Sequence, residues 1–90
     1  MNTFLLGRLV ATPAALAAFE ESGEKALDYL QRHASGDWGE VGEHDQQENE
    51  LSLQHGWRIL SAYTLKNGTK IWVITEADRS STTILLPAEY

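Results

Sequence analysis

An α+β domain of order β-α-α-α-β-β-β, with its helices on one face of a small antiparallel sheet, is the fold this sequence predicts. Three observations lead there. The last third alternates apolar and polar residues with period two, and Asn67-Gly68, a strong short hairpin signal, interrupts the alternation. The first half instead carries helix punctuation, Thr12-Pro13 at a start and Gly23, Gly36 and Gly56 at stops. The apolar content, 42% of 90 residues, suits one small globular domain spanning residues 1–90.

Residues 3–10 read as the first strand. Phe4, Leu6 and Val10 fall on one side and Leu5 and Leu9 on the other, the pattern of a strand buried on both faces. Thr12 then serves as N-cap and Pro13 as first helical residue for a helix over 14–21, stopped by Ser22-Gly23. A second helix covers 24–33. Ala26, Leu27 and Leu30 form its buried stripe with Tyr29 on the flank, and His33 lies in its last turn, where the helix dipole favours the protonated ring. Residues 36–42 form a loop anchored by Trp38. Asp45 and Glu48 have capping-box spacing for a third, mostly polar helix over 45–55, closed by Gly56. Strands over 57–65, 69–77 and 82–86 complete a C-terminal meander, and Pro87 ends it.

Charge and composition exclude several functions. A net charge of −6 argues against broad nucleic-acid binding, which needs a basic face for the phosphates. The acid is concentrated: Glu40, Glu43, Asp45, Glu48 and Glu50 share a stretch without Lys or Arg, whereas Arg58, Lys66 and Lys70 occupy an acid-free stretch. Cysteine is absent, which removes disulfides, thiolate metal sites and a thiol nucleophile and favours a reducing compartment. No apolar run approaches the roughly 20 residues that span a bilayer, and no secretory signal is visible. The expectation is a cytoplasmic protein with no membrane partner. His33, His44, His55, Asp37 and Asp45 are scattered without metal-ligand spacing, and no phosphate loop or dinucleotide fingerprint occurs, so no metal or cofactor is expected.

Two clusters carry candidate chemistry. In Arg32-His33…Asp37-Trp38-Gly39, His33 has the ordinary pKa of an acid–base group, the alternative being that it caps the helix end or bonds a loop carbonyl, while Asp37 and Trp38 suit an anchored turn or a binding surface. In Arg79-Ser80-Ser81-Thr82-Thr83, the guanidinium could grip a phosphate or carboxylate and Ser80, Thr82 and Thr83 could donate to it; the alternative is a polar turn with Arg79 paired to Glu76 or Asp78. Trp72 is a sheet-face residue, and together with Trp57 it would form a binding patch if exposed. Glu43, Asp45 and Glu48 mark an acidic face suited to a basic protein partner. An exposed final strand would let two copies pair as a homodimer.

Residues 7–13, 32–39 and 71–90 resemble a family of short uncharacterised proteins carried by plasmids, prophages and integrative elements. The most specific parts are Arg32-His33…Gly36-Asp37-Trp38-Gly39 and Thr75-Glu76-Ala77-Asp78-Arg79-Ser80. That resemblance implies an accessory role on mobile elements. The order of elements, with Arg32-His33 closing a helix and Thr82-Thr83 before an apolar-Pro ending, is also similar to the barnase–EndoU–colicin–RelE ribonuclease superfamily. It implies a metal-independent ribonuclease or toxin-like enzyme acting on nucleic acid. His33 would be the general acid/base, Arg79 or Lys70 the charge stabiliser, and Thr82 or Thr83 the phosphate donor.

Overall fold

A computed structural model describes residues 2–90. Its elements run β1 (Arg8–Ala11), α1 (Pro13–Ser22), α2 (Ala26–Ala34), α3 (Glu43–His55), β2 (Ile59–Thr64), β3 (Lys70–Thr75) and β4 (Ser81–Leu85), followed by a single 3-10 turn, Pro87–Glu89. The predicted α+β order is the observed one. In space the strands lie β1-β4-β3-β2. β2, β3 and β4 form the expected antiparallel meander, with Ile59 opposite Thr75 and Thr75 opposite Thr82. β1 is inserted parallel to β4, Leu9 opposite Thr82, which makes the sheet mixed. β4 is therefore interior, which closes the route to a homodimer through an exposed final strand, and the free edge belongs to β1.

Alternation decides which face is covered. Ile59, Ser61 and Tyr63 of β2, Ile71, Val73 and Thr75 of β3, and Thr82 and Ile84 of β4 all point to one face and are all buried. α1 lays Ala15, Ala18 and Phe19 on that face and α2 adds Tyr29 and Leu30. Thr12 caps α1 by accepting from the Ala15 amide at 3.1 Å, and Pro13 occupies the first turn. A second cluster, Trp38, Val41 and Ile59 with Phe4 and Leu53 against it, wraps the β2 edge.

Three local expectations are corrected. β1 is a four-residue strand with an exposed Leu9 and Val10, because Gly7 breaks the run before it at φ +66°. A side chain at Gly7 would lie 2.4 Å from the Arg79 carbonyl oxygen, so the chain can cross the β3–β4 turn only as glycine. In α2 the buried stripe is Tyr29, Leu30, His33 and Ala34, leaving Leu27 exposed; an apolar-only reading missed that His33 completes the 3.6-residue periodicity. α3 starts at Glu43 behind a Gly42 N-cap without a side-chain bond, so Asp45 and Glu48 lie inside the helix and form no capping box.

Candidate functional site

His33 is carried by the last turn of α2 into the centre of the molecule, where it is 0% exposed. Its Nδ1 lies 2.5 Å from the Ser61 hydroxyl and its Nε2 lies 2.8 Å from that of Thr75. Thr75 is 2.7 Å from Thr82, and the Thr82 hydroxyl donates to the Leu6 carbonyl at 2.7 Å. Proton counting fixes the direction of this chain. Thr82 spends its one hydrogen on Leu6, so it accepts from Thr75. Thr75 then accepts from His33, whose proton sits on Nε2, and Ser61 donates to Nδ1. Every member is satisfied with a neutral imidazole. Burial and the nearby Arg79 charge push its pKa down to about 4, which corrects the expectation that the helix end would favour the charged ring. Phe4 closes the site edge-on, its ring centroid 5.2 Å from that of His33.

Thr82, not Thr83, joins this network. Thr83 projects from the opposite sheet face, so His33, Arg79 and Thr83 do not converge on one surface. Arg79 grips neither a carboxylate nor open solvent. One of its terminal nitrogens donates to the carbonyls of Trp57 at 2.7 Å, Glu76 at 3.1 Å and Ala77 at 3.2 Å, and the other donates to Ser52 at 2.9 Å. It thereby ties the end of α3 to the β3–β4 turn. Ser80 is exposed, and its amide donates to Asp78 at 2.9 Å.

The Arg32–Gly39 cluster builds a turn. Arg32 pairs with Asp37 at 2.7 Å, lies 4.6 Å from the Tyr63 ring centroid, and Asp37 also accepts from the Gly39 amide at 3.1 Å. Each charge holds the other's pKa in the charged direction, Asp37 lowered and Arg32 raised. This turn lets the backbone add to the β2 edge: Ala62 donates to Trp38 at 3.1 Å and Glu40 donates to Ala62 at 2.6 Å. Gly39 is required there, since a side chain would sit 2.0 Å from the Ala62 carbonyl oxygen. Trp38 is buried and donates its indole N–H to Glu50 at 3.1 Å.

α3 differs from the other helices. It buries only Asn49 and Ser52, and hydrogen bonds hold those two against β2: Asn49 pairs with Leu60, and Ser52 donates 3.0 Å to the Arg58 carbonyl. Glu43, Asp45 and Glu48 are exposed along it, and among the described residues the only ion pair on the helix is His44–Glu48 at 3.7 Å. A shallow cleft of about 450 Å³ lies between this helix and Trp38, lined by Gly36, Glu43, Gln46, Gln47 and Glu50. Trp72 is half-buried on the outer sheet face, edge-on to Tyr90, while Trp57 stacks on His55 some way along the fold.

Sequence reasoning missed Ser61, Thr75, Asn49 and Ser52. The signal for the first two was a polar residue on the inward face of an otherwise apolar alternation. No group of three side chains able to hold a metal gathers among the described residues, and no helix there is long and apolar enough to cross a membrane. No protein-family model, curated protein or solved structure matches the chain.

Proposed function

We propose that the chain is a protein-binding module that offers the exposed carboxylates of α3 to a basic partner. The partner class is a protein that handles nucleic acid, encoded by the host or by a mobile element on which this chain serves as accessory. The observation that carries the reading is the way α3 is held. A helix of this polarity gains little from apolar burial, yet it is bonded to the sheet edge through Asn49, Ser52 and Arg79. Glu43, Asp45 and Glu48 are thus displayed on a fixed backbone, in a stretch with no Lys or Arg between Arg32 and Arg58. A fixed array of like charge steers an oppositely charged surface and is sensitive to salt.

The test replaces Glu43, Asp45 and Glu48 together by Lys in the tagged full-length protein and compares partners recovered from its native cells. Recovery that is salt-sensitive for the wild type and lost in the triple variant is the expected result. Equal recovery from both proteins would remove the acidic face from the account.

A second reading, phosphodiester cleavage in RNA, draws on one observation. The Phe4 ring touches both His33 and, 5.7 Å from its centroid, the Arg79 guanidinium, and it belongs to the irregular segment preceding β1. Uncovering that pair would give an imidazole and a cation on one surface. On this reading Phe4→Ala cleaves total RNA in the presence of a chelator and Phe4→Ala with His33→Ala does not. Intact RNA with both variants would end it.

A further inference from the structure

The two edges of the sheet are treated in opposite ways. At the β2 edge the outward backbone groups of Leu60 and Ala62 are engaged, Leu60 by Asn49 and Ala62 by Trp38 and Glu40, and the Thr64 hydroxyl meets Glu40. β1 has no such cover. Arg8 and Thr12 donate inward to Ser80 and Ile84, each at 3.0 Å, so the alternation turns the N–H and C=O of Leu9 and Ala11 outward, unpaired among the described residues. The same edge carries Leu5, Leu9 and Val10 at 76%, 51% and 42% exposure. An open apolar edge is a template for another strand.

We propose that this chain forms a two-fold homodimer in which β1 pairs antiparallel with β1 of a second copy, centred on Val10, so that Arg8 of each copy meets Glu89 of the other. The register follows from the backbone. Leu9 and Ala11 both point outward, and centring on Val10 sets Leu9 against the other copy's Ala11 as a hydrogen-bonded pair, twice over, for four main-chain bonds in all. Arg8 then lies opposite the other copy's Thr12, on the same sheet face. The Thr12 hydroxyl donates to Glu89 at 2.7 Å, which fixes an exposed carboxylate at that spot. Arg8 has no ion-pair partner among the described residues, and the register supplies one on each side of the axis.

The remaining charges permit the match. From Asn2 to Phe19, Arg8 is the only charged side chain in a protein of net charge −6. The two Arg8 residues stand about 13 Å apart along the ribbon, at the rise of an extended strand. The acidic α3 packs on β2, three strand spacings away, or about 14 Å. Both separations exceed the Debye length of about 8 Å at physiological ionic strength. A symmetric dimer of this kind would carry its two acidic helices at opposite ends of an eight-stranded sheet. A foreign strand would satisfy the open amides equally well, but only a second copy brings Glu89 to Arg8.

Sedimentation equilibrium of the full chain, from low to high micromolar concentration, tests the proposal. The expected mass moves from 10.0 kDa toward twice that value. Leu9→Pro deletes an outward donor without touching the β1–β4 ladder, so it is expected to stay folded by circular dichroism and remain monomeric. Arg8→Glu is expected to weaken the dimer about tenfold or more, and adding Glu89→Arg to restore it. Amide exchange at Leu9 and Ala11 should slow with concentration while that at Val10 holds constant. A wild type that stays monomeric throughout would overturn the proposal. So would a dimer indifferent to Leu9→Pro and to both charge variants, since association would then use another surface.

Discussion

The side-chain amide of Asn49 pairs with both main-chain groups of Leu60, donating to its carbonyl at 2.7 Å and accepting from its N–H at 3.1 Å. One residue of α3 thus stands in for a neighbouring strand at the β2 edge. The parallel bridge between Gly39 and Ala62 continues the same cover two residues on, and Glu40 accepts from the Thr64 hydroxyl at 2.9 Å beyond it. Helix, turn and edge strand are therefore one hydrogen-bonded unit, which explains how a helix with so little apolar surface keeps its place.

Asn49→Ala is expected to cost about 2–4 kcal/mol in unfolding free energy, because it strands a donor and an acceptor at a partly buried edge. Asn49→Asp keeps the acceptor but sets a carboxylate beside the Leu60 carbonyl, so it should be destabilised as well. Urea unfolding of both variants measures this. A loss of only a few tenths of a kcal/mol in Asn49→Ala would show that water replaces the amide without penalty.

Acid should weaken the protein through His33 once pH falls below about 6.5. The folded-state pKa of about 4 lies below the ordinary 6.5, so the unfolded chain binds more protons between those values. The contribution is fully present above pH 6.5 and falls away as pH drops toward 4, by about 3 kcal/mol in total. Asp37, Asp78 and Glu89 are held below the ordinary carboxylate range, so their contributions begin to fade near the ordinary values of 3.8, 3.8 and 4.5 and are lost as pH falls further. Urea midpoints measured between pH 7 and pH 4 should fall for the wild type and stay nearly level for His33→Gln. Parallel slopes for the two proteins would mean that His33 is not the group responsible.

Much of the fold was legible because it rests on local signals. Thr12-Pro13 starts α1, and Ile59-Ser61-Tyr63 against Ile71-Val73-Thr75 show the alternation of paired strands. What escaped depends on distant partners. Nothing near Arg8 says that β1 lies beside β4 rather than beside β2, since that pairing spans most of the chain. His33 read as an acid–base group or a helix-end cap because a helix end is usually wet, and only the hydroxyls of Ser61 and Thr75, on strands far along the sequence, satisfy it when buried. Arg79 likewise looked like an anion grip, whereas its acceptors are main-chain carbonyls that no sequence pattern marks. The acidic display of Glu43, Asp45 and Glu48 was readable, since exposed charge needs no partner to be recognised.

Arg79 also adopts a conformation that its neighbour hairpin assigns to glycine. Its φ is +61°, and its N–H donates to the Glu76 carbonyl at 2.9 Å, as Gly68, at φ +87°, donates to Leu65 at 2.9 Å. A non-glycine residue there costs about 1 kcal/mol, which the four carbonyl contacts of the guanidinium offset. Arg79→Ala should therefore lose about 3 kcal/mol of stability, keeping the strained backbone while deleting the clamp. Arg79→Gly should recover about 1 kcal/mol of that loss, because glycine accepts the turn freely. Arg79→Lys should resemble alanine more than wild type, since a single ammonium cannot reach Ser52 and the turn carbonyls in two directions at once. In all three, loss or displacement of the guanidinium from beside Phe4 should be read out by NMR titration of His33: Arg79→Ala and Arg79→Gly are expected to raise its pKa from about 4. A glycine variant as stable as the wild type would show that the clamp contributes nothing beyond filling the turn.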